Sequence, residues 1–194
     1  RILSSAASDV YKRQKNDSIF GSIFSESRQM AKHAVNGIDI HYQIDGDISD
    51  KTIMFSNSLA STLNMWDLQI EHLLAQGFGI IRYDSRGHGQ SEAPKGPYSI
   101  EMLADDAAAL LDVLDIKSVH FCGLSKGGMV AQMMGVRHAD KVKSLTIADS
   151  AAFMPAKDTW EQRIQAVTNG GMEAVVDATT ERWITSEGRD RLPG

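Results

Sequence analysis

Val119-His120-Phe121-Cys122-Gly123-Leu124-Ser125-Lys126-Gly127-Gly128 is the segment whose reading decides the fold of this chain. Residues 118–122 read as a short strand, and the pattern from 129 to 136 predicts a helix. A serine with glycine two residues to either side, placed between a strand and a helix, meets the demands of a sharp strand-to-helix turn. The backbone at the serine is strained, and a side chain at either glycine would crowd the neighbouring strands. The turn pushes the Ser125 hydroxyl into the open. It also sets that hydroxyl at a helix start, where the positive end of the macrodipole and the Lys126 N–H face the position a tetrahedral oxyanion would occupy. Ser125 is therefore the candidate nucleophile and Lys126 a candidate oxyanion donor. A flexible glycine turn without chemistry would not account for this placement.

Upstream, residues 38–44 alternate apolar and polar side chains, and 51–55 form a short apolar run, so both are expected strands. Asn36-Gly37 reads as the tight turn of a first hairpin. Asn64 is the expected cap of a helix over 65–76, which Gly77 ends. Residues 78–83 are the next strand, running into the glycine-rich turn Asp84-Ser85-Arg86-Gly87-His88-Gly89-Gln90-Ser91. Ser99 caps a helix expected over 100–114, with Leu103, Ala107, Leu110, Leu111 and Leu114 on its apolar stripe. Residues 142–148 form a further strand. Strands joined by helical crossovers imply an α/β fold with a mostly parallel sheet flanked by helices. From 158 onward the pattern is helical without another strand, over 160–167 and 172–183, as expected for the start of a helical cap. The expected organisation is a non-native tail over 1–29, a core over 30–152 and a truncated cap over 153–194. Residues 1–14 show no period and resemble translated adapter sequence, and Met30 reads as the natural start.

Composition narrows the function. With 42% hydrophobic residues, 194 residues suffice for one sizeable core. The net charge of -5, from 25 acidic and 20 basic residues without a basic run, disfavours nucleic acid as a partner. Cys122 is the single cysteine, so no internal disulfide forms. No window approaches the roughly 18 consecutive apolar residues of a membrane helix. A soluble, cytoplasmic protein with no membrane partner is expected.

The strand order, the 84–91 turn and the serine turn together make the chain resemble the α/β-hydrolase superfamily from about Ala34 to Ala152. Within it, Ser56-Asn57-Ser58-Leu59, Met65-Trp66-Asp67, Arg82-Tyr83-Asp84, Gly96-Pro97-Tyr98 and the serine turn are similar to those of 3-oxoadipate enol-lactonases. Trp160-Glu161-Gln162-Arg163-Ile164 and Glu181-Arg182-Trp183 are similar as well. Many members of that family carry methionine where this chain has Lys126, and Asn57-Ser58 stands where most of the superfamily has His-Gly. The resemblance implies hydrolysis of a small anionic lactone or ester, with 3-oxoadipate enol-lactone first, in aromatic-compound catabolism, without a metal or organic cofactor. The loop after the 51–55 strand should then supply the second oxyanion donor, for which the Leu59 N–H is the candidate.

In this fold the acid and the histidine follow the serine in the chain. After Ser125 the only histidine is His138, expected at the far end of the helix that begins at the turn. The base and the acid are therefore expected beyond Gly194, and the chain as a fragment is expected to have little activity. Asp149 is the one candidate for an acid in a variant arrangement. Trp66, Trp160 and Arg163 are candidate substrate-binding residues, since a pocket for a small anion needs apolar walls and one cation. His88 is expected to be structural, with Asp84 and Arg86 tying its loop by a charge-assisted hydrogen bond. His33, His41 and His72 lack metal-ligand spacing, and His120, Cys122, Met129, Met133 and Met134 read as core. Competing readings are a carboxylesterase, a C–C bond hydrolase, a cofactor-free perhydrolase, and a non-catalytic binding module on the same fold. A dinucleotide-binding dehydrogenase is disfavoured, because the first strand-helix turn lacks Gly-x-Gly-x-x-Gly.

Overall fold

The computed structural model describes residues 28–154 and 157–191. The 1–29 tail expected from sequence lies outside the described residues except for Arg28 and Gln29. Those two open strand β1 (Arg28–Val35), which carries no clear strand period in the sequence. Asn36 and Gly37, at φ 47° and 79°, make the expected tight turn into β2 (Ile38–Asp45), with Val35 opposite Ile38. Positive φ at both central residues is the geometry that matches strand twist in a two-residue hairpin, and Asn-Gly supplies it at least cost.

Strand β3 (Ile53–Ser56), helix α1 (Asp67–Ala75), strand β4 (Ile80–Tyr83), helix α2 (Ile100–Val113), strand β5 (Val119–Leu124), helix α3 (Lys126–Arg137) and strand β6 (Val142–Ala148) complete the core unit. A 3-10 turn, Leu63–Trp66, precedes α1, and its cap is Thr62 rather than the expected Asn64. Ser99 caps α2 as expected, its side chain accepting from the Met102 N–H. The sheet order is β1-β2-β4-β3-β5-β6. β2 pairs antiparallel with β1 and β4, and the pairs β4–β3, β3–β5 and β5–β6 are parallel. From β3 the chain crosses to β4 on one side, then returns past β3 to reach β5 on the other. That reversal opens a crevice beyond the carboxyl ends of β3 and β5, where doubly wound sheets hold ligands.

Alternation along β5 divides the interior in two. Val119, Phe121 and Gly123 are buried on one face, while His120, Cys122 and Leu124 are half-buried on the other. The larger core packs Ile40, Tyr42, Met54, Leu111, Phe121 and Met134 together. The smaller consists of Phe55, Trp66, Ile70 and Ile80 beneath α1.

Residues 153–154 and 157–191 belong to a second compact unit. It contains α4 (Lys157–Gly170), a 3-10 turn at Met172–Val175, α5 (Val176–Trp183) and α6 (Ser186–Asp190), in the region where a helical cap was expected.

One charge is fully enclosed by the core unit. Arg82 on β4 is 0% exposed. Its Nη2 and Nε donate to Asp45 Oδ2 at 2.8 and 3.2 Å, and its Nη1 donates to Asp67. The pair ties the antiparallel strand β2 to the start of α1. Removing the cation would leave the Asp45 carboxylate buried without its guanidinium partner. Arg82→Met is therefore expected to destabilise the chain by about 3–5 kcal/mol, and the double variant R82M/D45N by clearly less. Urea unfolding midpoints of the two variants check this, and equal losses would contradict it.

Candidate active site

Ser125 lies at the carboxyl end of β5, beside the crevice at the strand-order reversal. Its backbone has φ 54° and ψ -113°, a conformation that side-chain-bearing residues rarely adopt. The glycines make it possible. A Cβ on Gly123 would lie 2.0 Å from the Gly127 carbonyl oxygen, and a Cβ on Gly127 would lie 2.1 Å from the Ser56 carbonyl oxygen. Helix α3 can thus start hard against both β5 and β3 only where no side chain intervenes.

Hydrogen bonds hold the strained residue from both sides. The Ser125 N–H donates to the Ala148 carbonyl at 3.0 Å, and its carbonyl accepts from the Gly128 and Met129 N–H groups at 2.9 and 3.2 Å. The Ser150 hydroxyl donates to the same carbonyl at 2.7 Å. Among the described residues the Ser125 hydroxyl itself makes no hydrogen bond, nor do the N–H groups of Lys126 and Leu59. The turn therefore presents a free hydroxyl and a free donor at a helix N-terminus, and the loop after β3 holds a second free donor.

That loop is anchored from beneath. Asn57 is 0% exposed. Its Nδ2 donates to the Ser58 and Ser61 carbonyls at 3.1 and 2.6 Å, and its Oδ1 accepts from the Ser85 hydroxyl at 2.6 Å. His88 anchors it from the opposite turn. The ring accepts the Ala60 N–H on Nε2 at 3.3 Å and donates from Nδ1 to the Arg86 carbonyl at 3.0 Å, which assigns its tautomer. Burial, reinforced by the Lys126 charge, pushes its pKa down to about 4, so the ring stays neutral near pH 7. His88 is thus a positioning residue, as the sequence suggested.

Asp84 and Arg86 do not tie this turn by bonding to each other, contrary to expectation. Asp84 takes His41 Nδ1 at 2.8 Å and the Leu63 and Gln90 N–H groups at 2.8 and 3.0 Å. Arg86 forms a bidentate pair with Asp106 on α2, at 2.7 and 2.8 Å. Two short carboxylates, each with a nearer partner on a different element, outcompete the local contact.

Trp66, expected against substrate, is packed in the smaller core with its ring 4.5 Å from Phe55. It borders a cleft of about 300 Å³ lined by Phe55, Leu73, His120, Cys122 and Thr146, and Ser125 is not among the lining residues. Burial there also pushes the Cys122 thiol up. Asp149 follows β6 exposed, at φ 41°, and it is the neighbouring Ser150 that contacts Ser125. In the second unit, the Arg163 guanidinium stacks over the Trp160 ring at 5.1 Å. His138 pairs with Asp105 at 2.7 Å, at the other end of the twelve-residue α3 and about 18 Å of helix from Ser125. Met134 is buried, with Met129 and Met133 partly so. Ser150 and Asn57 are the positioning residues that the sequence reading did not pick out. The Asn57-Ser58 departure was the one signal for the second, and nothing local marked the first. Among the described residues no group of His, Cys, Asp and Glu could hold a metal, and no helix is long and apolar enough to cross a membrane.

Known proteins of similar sequence and structure include two enol-lactonases and a hydrolase. The 3-oxoadipate enol-lactonase 2 of Acinetobacter baylyi is 35% identical over 148 residues, 76% of this chain and 55% of the relative. The crystal structure of an enol-lactonase from Burkholderia xenovorans superposes with a TM-score of 0.79 at 41% identity, covering 83% of this chain and 62% of that one. A hydrolase from Pseudomonas aeruginosa superposes with a TM-score of 0.80 at 32% identity, covering 85% of this chain and 63% of the other. The chain therefore spans about half to three-fifths of the length of these relatives. A family profile described as the alpha/beta hydrolase fold matches residues 51–183. With the sheet order, the glycine-flanked turn and this match in agreement, the chain belongs to the alpha/beta hydrolase fold family.

Proposed function

We propose that this chain carries the nucleophilic half of a serine hydrolase acting on a small anionic lactone or ester, with 3-oxoadipate enol-lactone as the first candidate. The observation that carries the reading is the strained Ser125, whose hydroxyl makes no hydrogen bond among the described residues, beside the free Lys126 N–H at the start of α3. The substrate comes from the enol-lactonases of similar sequence and structure.

The chemistry follows from the site. Ser125 Oγ adds to the lactone carbonyl carbon while its proton passes to a base. The carbonyl oxygen becomes an oxyanion that the Lys126 and Leu59 N–H groups receive. Collapse breaks the ring C–O bond and expels an enolate, which takes a proton and becomes a ketone. An enolate is a better leaving group than an alkoxide, so acid assistance at this step is undemanding. Water then cleaves the acyl-Ser125 ester, releasing a carboxylate and restoring the hydroxyl.

His88, His41 and His138 are each unsuited to serve as the base. His88 spends both ring nitrogens on the loop, His41 is paired with Asp84, and His138 lies at the far end of α3. The base and its acid would then belong to the part of the relatives that this chain does not span, in keeping with the fold's chain order.

In the full-length enzyme, Ser125→Ala is expected to lower kcat for 3-oxoadipate enol-lactone by about 10³-fold or more, with little change in the unfolding midpoint. Retention of turnover would remove Ser125 as nucleophile. Leu59→Pro, which deletes one N–H, is expected to lower kcat by about 10²- to 10³-fold with a smaller change in KM. Equal activity would assign the second donor elsewhere.

A further inference from the structure

The first turn of α3 carries a cation where helix electrostatics favour an anion. Aligned peptide dipoles place partial positive charge at a helix N-terminus and stabilise acidic side chains there. Helix α3 has no acidic residue in its first turn and begins with Lys126. Its Nζ is buried and, among the described residues, has no hydrogen-bond partner. A buried ammonium without an acceptor is costly, and it either gives up its proton or meets an anion.

The groups whose charge is coupled to it do not supply that anion. These are Asp84 and His88, both in the turn after β4. The Asp84 carboxylate is already occupied by His41 and by the Leu63 and Gln90 N–H groups, and His88 is neutral with both nitrogens bonded. Arg86, the cation of that turn, is closed onto Asp106. An unused ammonium thus belongs to the very residue whose N–H adjoins Ser125.

We propose that Lys126 Nζ is a carboxylate-binding group of the Ser125 site, selecting anionic esters and lactones over neutral ones. The inference rests on the reading of Ser125 as nucleophile, and it gives that site a specificity determinant which a methionine at this position would lack. Its pH dependence has a definite sign. Burial holds the Lys126 pKa down to about 7, with the Asp84 charge acting against that fall. Below that value the free site already carries its proton, and carboxylate affinity is flat. Above it the ligand must bring a proton, so affinity falls by about tenfold per pH unit until the raised pKa of the complex is reached.

Adipate, a dicarboxylate unable to acylate the enzyme, is the probe, titrated calorimetrically into the full-length protein from about pH 6 to about pH 9. The wild type is expected to bind it with that pH profile. Lys126→Met is expected to weaken binding at the acid end by about tenfold to a hundredfold and to abolish the profile. Lys126→Arg is expected to stay within about threefold at the acid end and to remain flat through the alkaline range, because a guanidinium keeps its proton. Equal adipate affinity in wild type and K126M, or no binding by the wild type, would overturn the proposal. If K126M fails to fold, the wild-type and K126R profiles decide, and identical profiles overturn it. Labelling by a neutral p-nitrophenyl phosphate triester separates the two readings. An enzyme that binds adipate through Lys126 yet is not labelled at Ser125 keeps this inference and loses the nucleophile.

Discussion

The contact between the end of β5 and the start of α3 is the constraint on which the rest of the site depends. With hydrogen in place of Cβ at Gly123 and Gly127, the helix begins within van der Waals reach of both β5 and the Ser56 carbonyl on β3. The chain turns so abruptly that Ser125 must take φ 54°, and the strain is held by the Ala148 carbonyl, the Ser150 hydroxyl and the first helical N–H groups. Larger residues at either glycine would push α3 away from the sheet. That shift would move the serine, its adjacent N–H and the Lys126 side chain together, since all three hang on the same turn.

Behind the turn lies an interior that holds several charged and polar side chains. Asp84, Asn57, Arg82, Arg86 and Asp106 are all buried, and each is bonded to a different structural element from its own. Buried charges are tolerated when paired and fully hydrogen-bonded, and in that state they specify one arrangement of loops over many. Here the loops so specified are the one after β3, carrying Leu59, and the one after β4, carrying His88. The neutral His88 ring links the two through Ala60 and Arg86. Lys126 is the exception to this pairing, and it stands next to Ser125 in the chain.

Sequence pattern located β2 through β6 and all three core helices within a few residues, because short runs of strand-forming residues mark the strands and 3.6-residue apolar spacing marks the helices. The 142–148 strand and the Ser99 cap were legible to the residue. Strand β1 was not, because Lys32 and His33 interrupt its apolar alternation and only pairing with β2 identifies it. Trp66 was expected against substrate, and the 3-10 turn that carries it packs its ring onto Phe55.

By itself the sequence determined the elbow: glycine at 123 and 127 around a serine, between a strand and a helix, is a steric statement that needs no partner elsewhere in the chain. It likewise determined the Asn36-Gly37 hairpin turn and the alternation of strand and helix that makes the sheet mostly parallel. Only the tertiary structure decided that β5 lies beside β3, which brings the loop carrying Leu59 next to Ser125. Only it paired Arg86 with Asp106 and brought Ser150 onto the Ser125 carbonyl, and only it left Lys126 Nζ enclosed without an acceptor. Local sequence encodes backbone conformation through sterics and short-range hydrogen bonds. The partners of a buried charge are chosen by packing between elements far apart in the chain, and no window of sequence contains them.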